Sequence, residues 1–174
     1  LPLAGKTARE AGEIAEATDK ELAIEYYEKA CSYMEGGNES MTIYQIQQKV
    51  ASLQGELGLL DDCAATYVKL AVTTETPYKK EEFYFRANLC AIGSGDGAKA
   101  KQACIDYSQD CYEYMSTKER AFCMELAQAM KANDEEAYKS SMAAFIKVKR
   151  LDFWCEKMLK DGLKGCTPSL SAFD

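Results

Sequence analysis

The sequence predicts an all-α protein, an α-solenoid of antiparallel helix hairpins that ends in a carboxy-terminal helical bundle. Three observations support this fold class. Apolar residues recur with the period of an α-helix along most of the 174 residues, and no segment alternates as a strand does. Helix start and stop signals interrupt this pattern at short intervals. A sequence repeat with a period of 40 residues is typical of stacked helix pairs.

Nine helices follow from the apolar periodicity. The most regular stripe, with steps of three and four residues throughout, consists of Ile43, Ile46, Val50, Leu53 and Leu57. Residues 121–130 are apolar nearly all round, which predicts a fully buried helix. Because the connections are short, sequential neighbours should be antiparallel. The predicted helices span 3–17, 19–35, 40–57, 60–73, 77–92, 96–114, 117–131, 134–149 and 152–164.

Glycine, proline and short polar residues mark the predicted helix ends. Gly36 and Gly58 can end helices, because glycine enters the left-handed region at little cost. Thr76 followed by Pro77 suits a cap and the first helical position, where the missing N–H of proline is not needed. Two further starts have capping-box spacing: Ser116 with Glu119, and Asn133 with Glu136.

The internal repeat predicts a TPR-like arrangement of helix pairs. Small residues at fixed positions allow paired helices to approach closely, while a tyrosine fills the gap between hairpins. The aligned segments are YYEKAC (26–31), TYVKLA (66–71) and DYSQDC (106–111), in which Tyr27, Tyr67 and Tyr107 coincide. After about residue 115 the repeat fades into a more apolar cluster. We therefore expect a TPR-like solenoid over 1–115, a helical bundle over 116–166 and a tail over 167–174.

Composition excludes several classes of function. The chain contains no histidine, which rules out histidine-dependent triads and histidine–zinc sites. A formal net charge of −7 disfavours nucleic acid as a partner, because a phosphate backbone attracts a basic surface. No apolar run is long enough to predict a membrane span. The first residues, Leu1-Pro2-Leu3, show no signal-peptide pattern.

The eight cysteines are spread along the chain without a CxxC pair. Most lie among apolar residues at helical spacing, so we expect free, buried core thiols and a reducing, cytoplasmic location. A disulfide framework is the less favoured alternative. The cysteines are Cys31, Cys63, Cys90, Cys104, Cys111, Cys123, Cys155 and Cys166.

Motifs for catalysis or cofactor binding are weak. Ala4-Gly5-Lys6-Thr7 matches only the end of a phosphate-binding loop, with no earlier glycine and no preceding strand. The glycine-rich segment 93–97 lacks the further acidic ligands of a calcium loop, and a turn capped by Asp96 is favoured. No serine, cysteine or lysine has a recognisable activating partner. The sequence therefore predicts no catalytic residue, no metal and no cofactor, and an interaction protein is the default.

The segment over 124–164 carries the most specific pattern. Arg150-Leu151-Asp152-x-Trp154, followed by Met158-Leu159, resembles the carboxy-terminal region of soluble NSF-attachment proteins (SNAPs), most closely the α type. Two upstream segments are also similar to parts of this family: KEEFYFRANLC (80–90) and LAIEYYEKACSYMEGGNES (22–40). The resemblance covers the whole chain and aligns it with the carboxy-terminal part of a SNAP.

This resemblance implies an adaptor rather than an enzyme. SNAPs coat the assembled SNARE four-helix bundle, and their carboxy-terminal bundle recruits and stimulates the hexameric ATPase NSF for SNARE disassembly. The implied partners are thus an NSF-type AAA ATPase and the SNARE bundle. Peripheral membrane contact is expected only through the family's amino-terminal part, which this chain lacks. The implied location is cytoplasmic and peripherally membrane-associated.

The resemblance also assigns residues to each partner. Basic residues should meet the acidic SNARE bundle, and carboxylates with an apolar penultimate residue should meet NSF. The implied SNARE-binding residues are Lys6, Lys79, Lys80 and Arg86. The implied NSF-binding residues are Asp96, Asp134, Glu135, Glu136, Leu170 and Phe173.

Two other interpretations stay open at the level of the sequence. The first is a generic TPR-like scaffold that grips a partner in a concave groove without NSF. The second is a metal or redox protein that uses the cysteines, which would require reactive thiols of low pKa in the folded protein.

Overall fold

The structure, a computed structural model, describes residues 2–166, and these contain ten α-helices and no strand. The all-α prediction is therefore confirmed. The helices are α1 (Pro2–Ala15), α2 (Lys20–Met34), α3 (Ser40–Glu56), α4 (Leu60–Thr73), α5 (Pro77–Gly93), α6 (Gly97–Asp110), α7 (Tyr112–Met115), α8 (Lys118–Lys131), α9 (Glu135–Val148) and α10 (Phe153–Leu163), followed by a 3₁₀ turn at Lys164–Cys166.

The chain divides into two compact units, Leu1–Leu70 and Ala71–Asp174. The first contains α1 to α3 and most of α4, and the second contains α5 to α10. The sequence repeat predicts a different division, into a solenoid over 1–115 and a bundle over 116–166. That division stays a prediction.

In the first unit, a close approach of α1 and α2 organises the core. A Cβ on Gly12 would lie 2.7 Å from the ring of Tyr27, so only glycine lets the two helices meet here. The hydroxyl of the fully buried Tyr27 donates to Glu16 at the end of this hairpin. Lys49 on α3 lies 3.5 Å from the same carboxylate, which ties the third helix to the first two.

In the second unit, α5 forms the centre. Nearly all of its second half is buried, and α6, α8 and α10 pack against it. Aromatic contacts link α5 to two further helices. Phe85 of α5 contacts Phe145 of α9, and Phe145 stacks on Phe122 of α8 with ring centroids 4.0 Å apart. The central helix therefore determines where the other helices of this unit lie.

The predicted helix over 96–114 is wrong, because the structure breaks it at Cys111. This residue has extended backbone angles, and the short helix α7 follows it. The break turns Tyr114 into the core, where its hydroxyl donates to Oδ1 of the buried Asn88 at 2.7 Å. The Asn88 amide in turn donates to the carbonyl of Ala100 and the thiol of Cys104. A buried amide that needs partners thus explains the interruption.

The second prediction to be corrected is the fully buried helix over 121–130. This segment lies within α8, and it exposes Ala121, Glu125 and Gln128 along one face. The remaining residues of the segment are buried or partly buried. The helix is thus amphipathic, with a narrow exposed face.

Two helix caps also differ from the prediction by one residue. Thr117 rather than Ser116 caps α8, and Asp134 rather than Asn133 caps α9. Asn133 instead ends α8 in the left-handed region, a conformation that asparagine tolerates. The predicted left-handed glycines at Gly36 and Gly58 are confirmed.

The tyrosine repeat holds only in part. Tyr27 and Tyr67 are buried as predicted, whereas Tyr107 is half-buried. In α6 the buried residues are Cys104 and Ser108, each one position after the residue that the repeat aligns with a buried position. The buried face of α6 is therefore shifted by one residue relative to the other two repeats.

All eight cysteines are buried and carry free thiols, which confirms the predicted burial. Burial raises the pKa of the Cys31 and Cys104 thiols to about 11, and that of Cys155 to about 12. Such thiols are protonated and unreactive at neutral pH, which argues against a redox function. Among the described residues, no group of three cysteine or acidic side chains is arranged to hold a metal ion.

The buried indole of Trp154 should be required for the stability of the second unit. Its ring is 8% exposed and lies under the guanidinium of Arg86. We expect Trp154→Ala to lower the free energy of unfolding by about 3–5 kcal/mol, because it removes a large buried side chain. Thermal melting measures the effect. Phe153→Ala is the matched control, since the adjacent ring is 81% exposed. Equal melting temperatures of the two variants would contradict this assignment.

Candidate functional site

Four exposed carboxylates lie around one end of the second unit. We call this set, Asp96, Asp134, Glu135 and Glu136, the acidic rim. Asp96 caps α6 and accepts a hydrogen bond from the Lys99 N–H at 3.1 Å. Asp134 caps α9 and accepts one from the Ala137 N–H at 3.0 Å. The positive end of each helix dipole favours a carboxylate at its cap, so the fold itself stabilises these charges.

Tight backbone packing brings the two capped helix starts together. A Cβ on Gly97 would lie 2.8 Å from the carbonyl oxygen of Ala127 and 2.9 Å from the backbone nitrogen of Lys131. The start of α6 is therefore pressed against the end of α8. The N–H of Asp134 donates to the carbonyl of Ala129 at 2.9 Å, which folds the start of α9 back onto the same end.

The last described turn of the chain lies at this end as well. Cys166 is 1% exposed, and burial together with the carboxylates of Glu135 and Asp134 raises the pKa of its thiol. The structure thus brings together all four acidic residues predicted for NSF contact. The two other predicted NSF-binding residues, Leu170 and Phe173, lie outside the described residues.

The basic residues predicted for SNARE contact are divided between the two units. Lys6 is exposed on α1 of the first unit, 4.0 Å from Glu10. Lys79 is exposed and Lys80 half-buried in the first turn of α5 in the second unit. Arg86, the fourth, lies about two turns further along α5.

Arg86 belongs to an ion-pair cluster that the sequence did not predict. Its guanidinium lies 2.5 Å from Asp152 and 3.5 Å from Glu82. The ammonium of Lys149 lies 2.9 Å from Glu82 and 3.2 Å from Glu119. This cluster joins α5, α8 and the connection between α9 and α10. Of these ion pairs, only Glu82–Arg86 could have been predicted from the sequence, because its i,i+4 spacing places both side chains on one face of a helix.

The environment of Lys149 favours its charged form. Burial of the side chain, which is 20% exposed, opposes the charge, but the carboxylates of Glu82 and Glu119 outweigh burial and raise the pKa of Lys149. The ammonium also lies over the ring of Phe85 at 4.9 Å from its centroid. The ion pairs of this cluster therefore hold neighbouring helices together, and Arg86 contributes to the fold through its pairs with Asp152 and Glu82.

The first unit carries an open groove with a mostly apolar lining. It lies between α1 and α2 and has a volume of about 720 Å³. Its lining includes Leu3, Ala8, Tyr26 and Tyr33. Over residues 2–166, each helix is either too short or too polar to span a lipid bilayer.

The described helices define the class of protein: an all-α protein built from helices joined by short connections, with exposed charged residues at several helix starts. A family model described as soluble NSF attachment protein, SNAP, matches residues 1–162. The chain therefore belongs to the soluble NSF attachment protein family. This membership confirms the resemblance at Arg150–Trp154 and the predicted helical solenoid.

The curated relatives have low sequence identity to this chain. The α-soluble NSF attachment protein of Dictyostelium discoideum is 26% identical over 162 residues, covering 90% of this chain and 56% of the relative. The β-soluble NSF attachment protein of Bos taurus is 26% identical over 148 residues, covering 83% and 49%. The vesicular-fusion protein SEC17 of Coprinopsis cinerea is 24% identical over 145 residues, covering 81% and 50%. The chain spans about half the length of these relatives.

The Arg86–Asp152 pair should make stability depend on pH. Burial of Asp152 opposes its charge, but Arg86 and the N–H of Cys155 outweigh burial and lower the pKa of this carboxyl. The carboxylate therefore stabilises the fold above its unfolded pKa of about 4, and this contribution is lost as pH falls through the folded value. We expect Asp152→Asn, which keeps the cap to Cys155, to be less stable than the wild type at pH 7 but not at acidic pH.

Urea denaturation of both proteins at neutral and acidic pH measures this difference. Asp19→Asn is the control, because Asp19 caps α2 through the Leu22 N–H and forms no ion pair with the described residues. This variant removes a capping charge without breaking an ion pair, so comparison of the two variants isolates the contribution of Arg86. A gap between Asp152→Asn and the wild type that persists unchanged at acidic pH would rule out the ion pair as its cause.

Proposed function

We propose that this chain is an adaptor in vesicular transport that binds the assembled SNARE four-helix bundle and recruits and stimulates an NSF-type ATPase. The observation that carries the proposal is the family match over residues 1–162. The relatives are named as NSF attachment and vesicular-fusion proteins. In this role the chain supplies binding surfaces at the cytoplasmic side of membranes, while ATP hydrolysis takes place on the partner.

The acidic rim is the proposed contact for the ATPase. Its four carboxylates are exposed, and two of them are held in fixed directions by their capping hydrogen bonds. A concentrated, oriented set of negative charges favours a basic partner surface and accelerates encounter with it. We propose Leu170 and Phe173 as apolar contacts for the same partner.

The proposed SNARE contact is dispersed and basic. Lys6 and Lys79 are exposed and can meet an acidic helical bundle directly, and the half-buried Lys80 adds to the charge at the start of α5. Arg86 would contribute only by exchanging Asp152 for a carboxylate of the partner, because its guanidinium already pairs within the fold. Contacts of this kind are weak individually and depend strongly on salt.

The first test is stimulation of an NSF-type ATPase by the chain immobilised on SNARE bundles. The test variant combines Asp96→Asn, Asp134→Asn, Glu135→Gln and Glu136→Gln, which removes four charges but retains side chains that can cap helices. We expect the half-saturating concentration to rise about tenfold, because each rim charge contributes only part of a kcal/mol.

The matched control removes four exposed carboxylates from α2 and its C-cap residue in the first unit. It combines Glu21→Gln, Glu25→Gln, Glu28→Gln and Glu35→Gln, and it should leave stimulation unchanged. Equal loss in both variants would show that net charge, rather than the rim, matters. Absence of stimulation by the unmodified chain would favour the alternative, a TPR-like scaffold without NSF, for which the groove between α1 and α2 offers a surface.

The second test concerns the basic residues. We expect Lys6→Glu combined with Lys79→Glu and Lys80→Glu to weaken binding to SNARE bundles about tenfold at low salt and less at high salt, because the steering is electrostatic. Binding is measured by sedimentation or surface capture at two ionic strengths. The control reverses three other exposed lysines, Lys29, Lys147 and Lys160. A salt-independent loss would point to unfolding and against this contact.

A further inference from the structure

Helix ends of opposite polarity meet at the acidic rim. Asp96 and Asp134 cap the starts of α6 and α9, and each accepts a hydrogen bond from a backbone N–H group. Lys131 is the last residue of α8. A helix dipole favours a carboxylate at the start of the helix and a cation at its end. The fold therefore stabilises charges of opposite sign at neighbouring helix ends.

Backbone packing brings Lys131 next to both caps. A Cβ on Gly97 would lie 2.9 Å from both the backbone nitrogen and Cγ of Lys131, so the lysine stem lies against the start of α6. Three residues after Lys131, the N–H of Asp134 donates to the carbonyl of Ala129, which folds the second cap back onto the end of α8. We call Asp96, Lys131 and Asp134 the charge triplet.

The positive charge of the triplet faces solvent. Lys131 is exposed, and no carboxylate of residues 2–166 forms an ion pair with it. The lysine beside Glu135 differs in this respect, because the ammonium of Lys139 pairs with that carboxylate at 2.6 Å. A partner that covers the rim therefore meets the cation of Lys131 as well as the carboxylates.

A partner surface must compensate both signs of charge in the triplet. A charge that loses its water on binding weakens the complex unless a counter-charge or hydrogen bond replaces that water. A uniformly basic surface would satisfy Asp96 and Asp134, but it would place a like charge against Lys131. The surface that fits best carries a carboxylate flanked by basic groups.

We infer that Lys131 is a specificity-determining residue, which restricts the acidic rim to an ATPase whose contact surface carries a carboxylate among its basic groups. This inference rests on the proposed function and adds to it the charge pattern of the partner. Such selection works largely by exclusion, because a basic group opposite Lys131 repels a partner that the rim carboxylates alone would attract.

The first experiment reverses the charge of Lys131 and measures binding of the ATPase to the chain held on SNARE bundles. We expect Lys131→Glu to raise the Kd for the NSF-type ATPase of the same organism about tenfold, because two carboxylates then face each other. Lys131→Gln removes the charge without adding repulsion and should raise the Kd about threefold. Lys131→Arg keeps the charge and should bind as the wild type does.

The matched control is Lys147→Glu. Lys147 is also exposed and also lies in the last turn of its helix, α9, whose start carries the rim carboxylates. This variant changes the net charge by the same amount as Lys131→Glu, and it should leave the Kd within about twofold of the wild type. Equal weakening by the two reversals would show that net charge is the cause and would overturn the inference.

A complementary change on the ATPase tests the inferred ion pair directly. Exposed carboxylates of the ATPase are replaced by lysine one at a time. We expect one replacement to weaken binding of the wild-type chain about tenfold and to restore binding of Lys131→Glu, because it exchanges the signs of the pair.

Two results would overturn the inference while the proposed function stands. One is a Kd that Lys131→Glu leaves unchanged or lowers, which would mean that the partner surface opposite Lys131 is basic. The other is failure of every replacement on the ATPase to restore binding of Lys131→Glu. Absence of binding by the wild-type chain on SNARE bundles would instead overturn the proposed function, on which the inference rests.

Discussion

The burial of α5 is the constraint on which the second unit depends. A helix enclosed on nearly every side must bury its few polar groups with partners, since an unpaired buried amide costs more free energy than a formed hydrogen bond contributes. Asn88 meets this demand through Ala100, Cys104 and Tyr114. The break at Cys111 and the direction of α7 follow from it. Burial of one helix thus determines the course of the chain between α6 and α8.

Two regions of this unit use charge in different ways. Around the middle of α5, carboxylates and cations neutralise one another in the cluster of Glu82, Arg86, Glu119, Lys149 and Asp152. At the acidic rim the carboxylates are exposed. Backbone N–H groups hold Asp96 and Asp134, and Glu135 pairs with Lys139 at 2.6 Å. A carboxylate held by N–H groups keeps its full negative charge for a partner. The acidic rim is therefore the stronger candidate for recognition.

Local features of the fold were predictable from the sequence, and long-range ones were not. Helix periodicity, the left-handed Gly36 and Gly58 and the burial of the cysteines depend on residues close in the chain. The break at Cys111 depends on an amide 23 residues earlier in the chain, and the Arg86 pair depends on a carboxylate 66 residues later. A Cβ on Gly165 would overlap the carbonyl oxygen of Gly95, and this close contact left no pattern in the sequence, because glycine is also common where helices end. For the acidic rim, the resemblance supplied the residues, and only the structure showed that they adjoin.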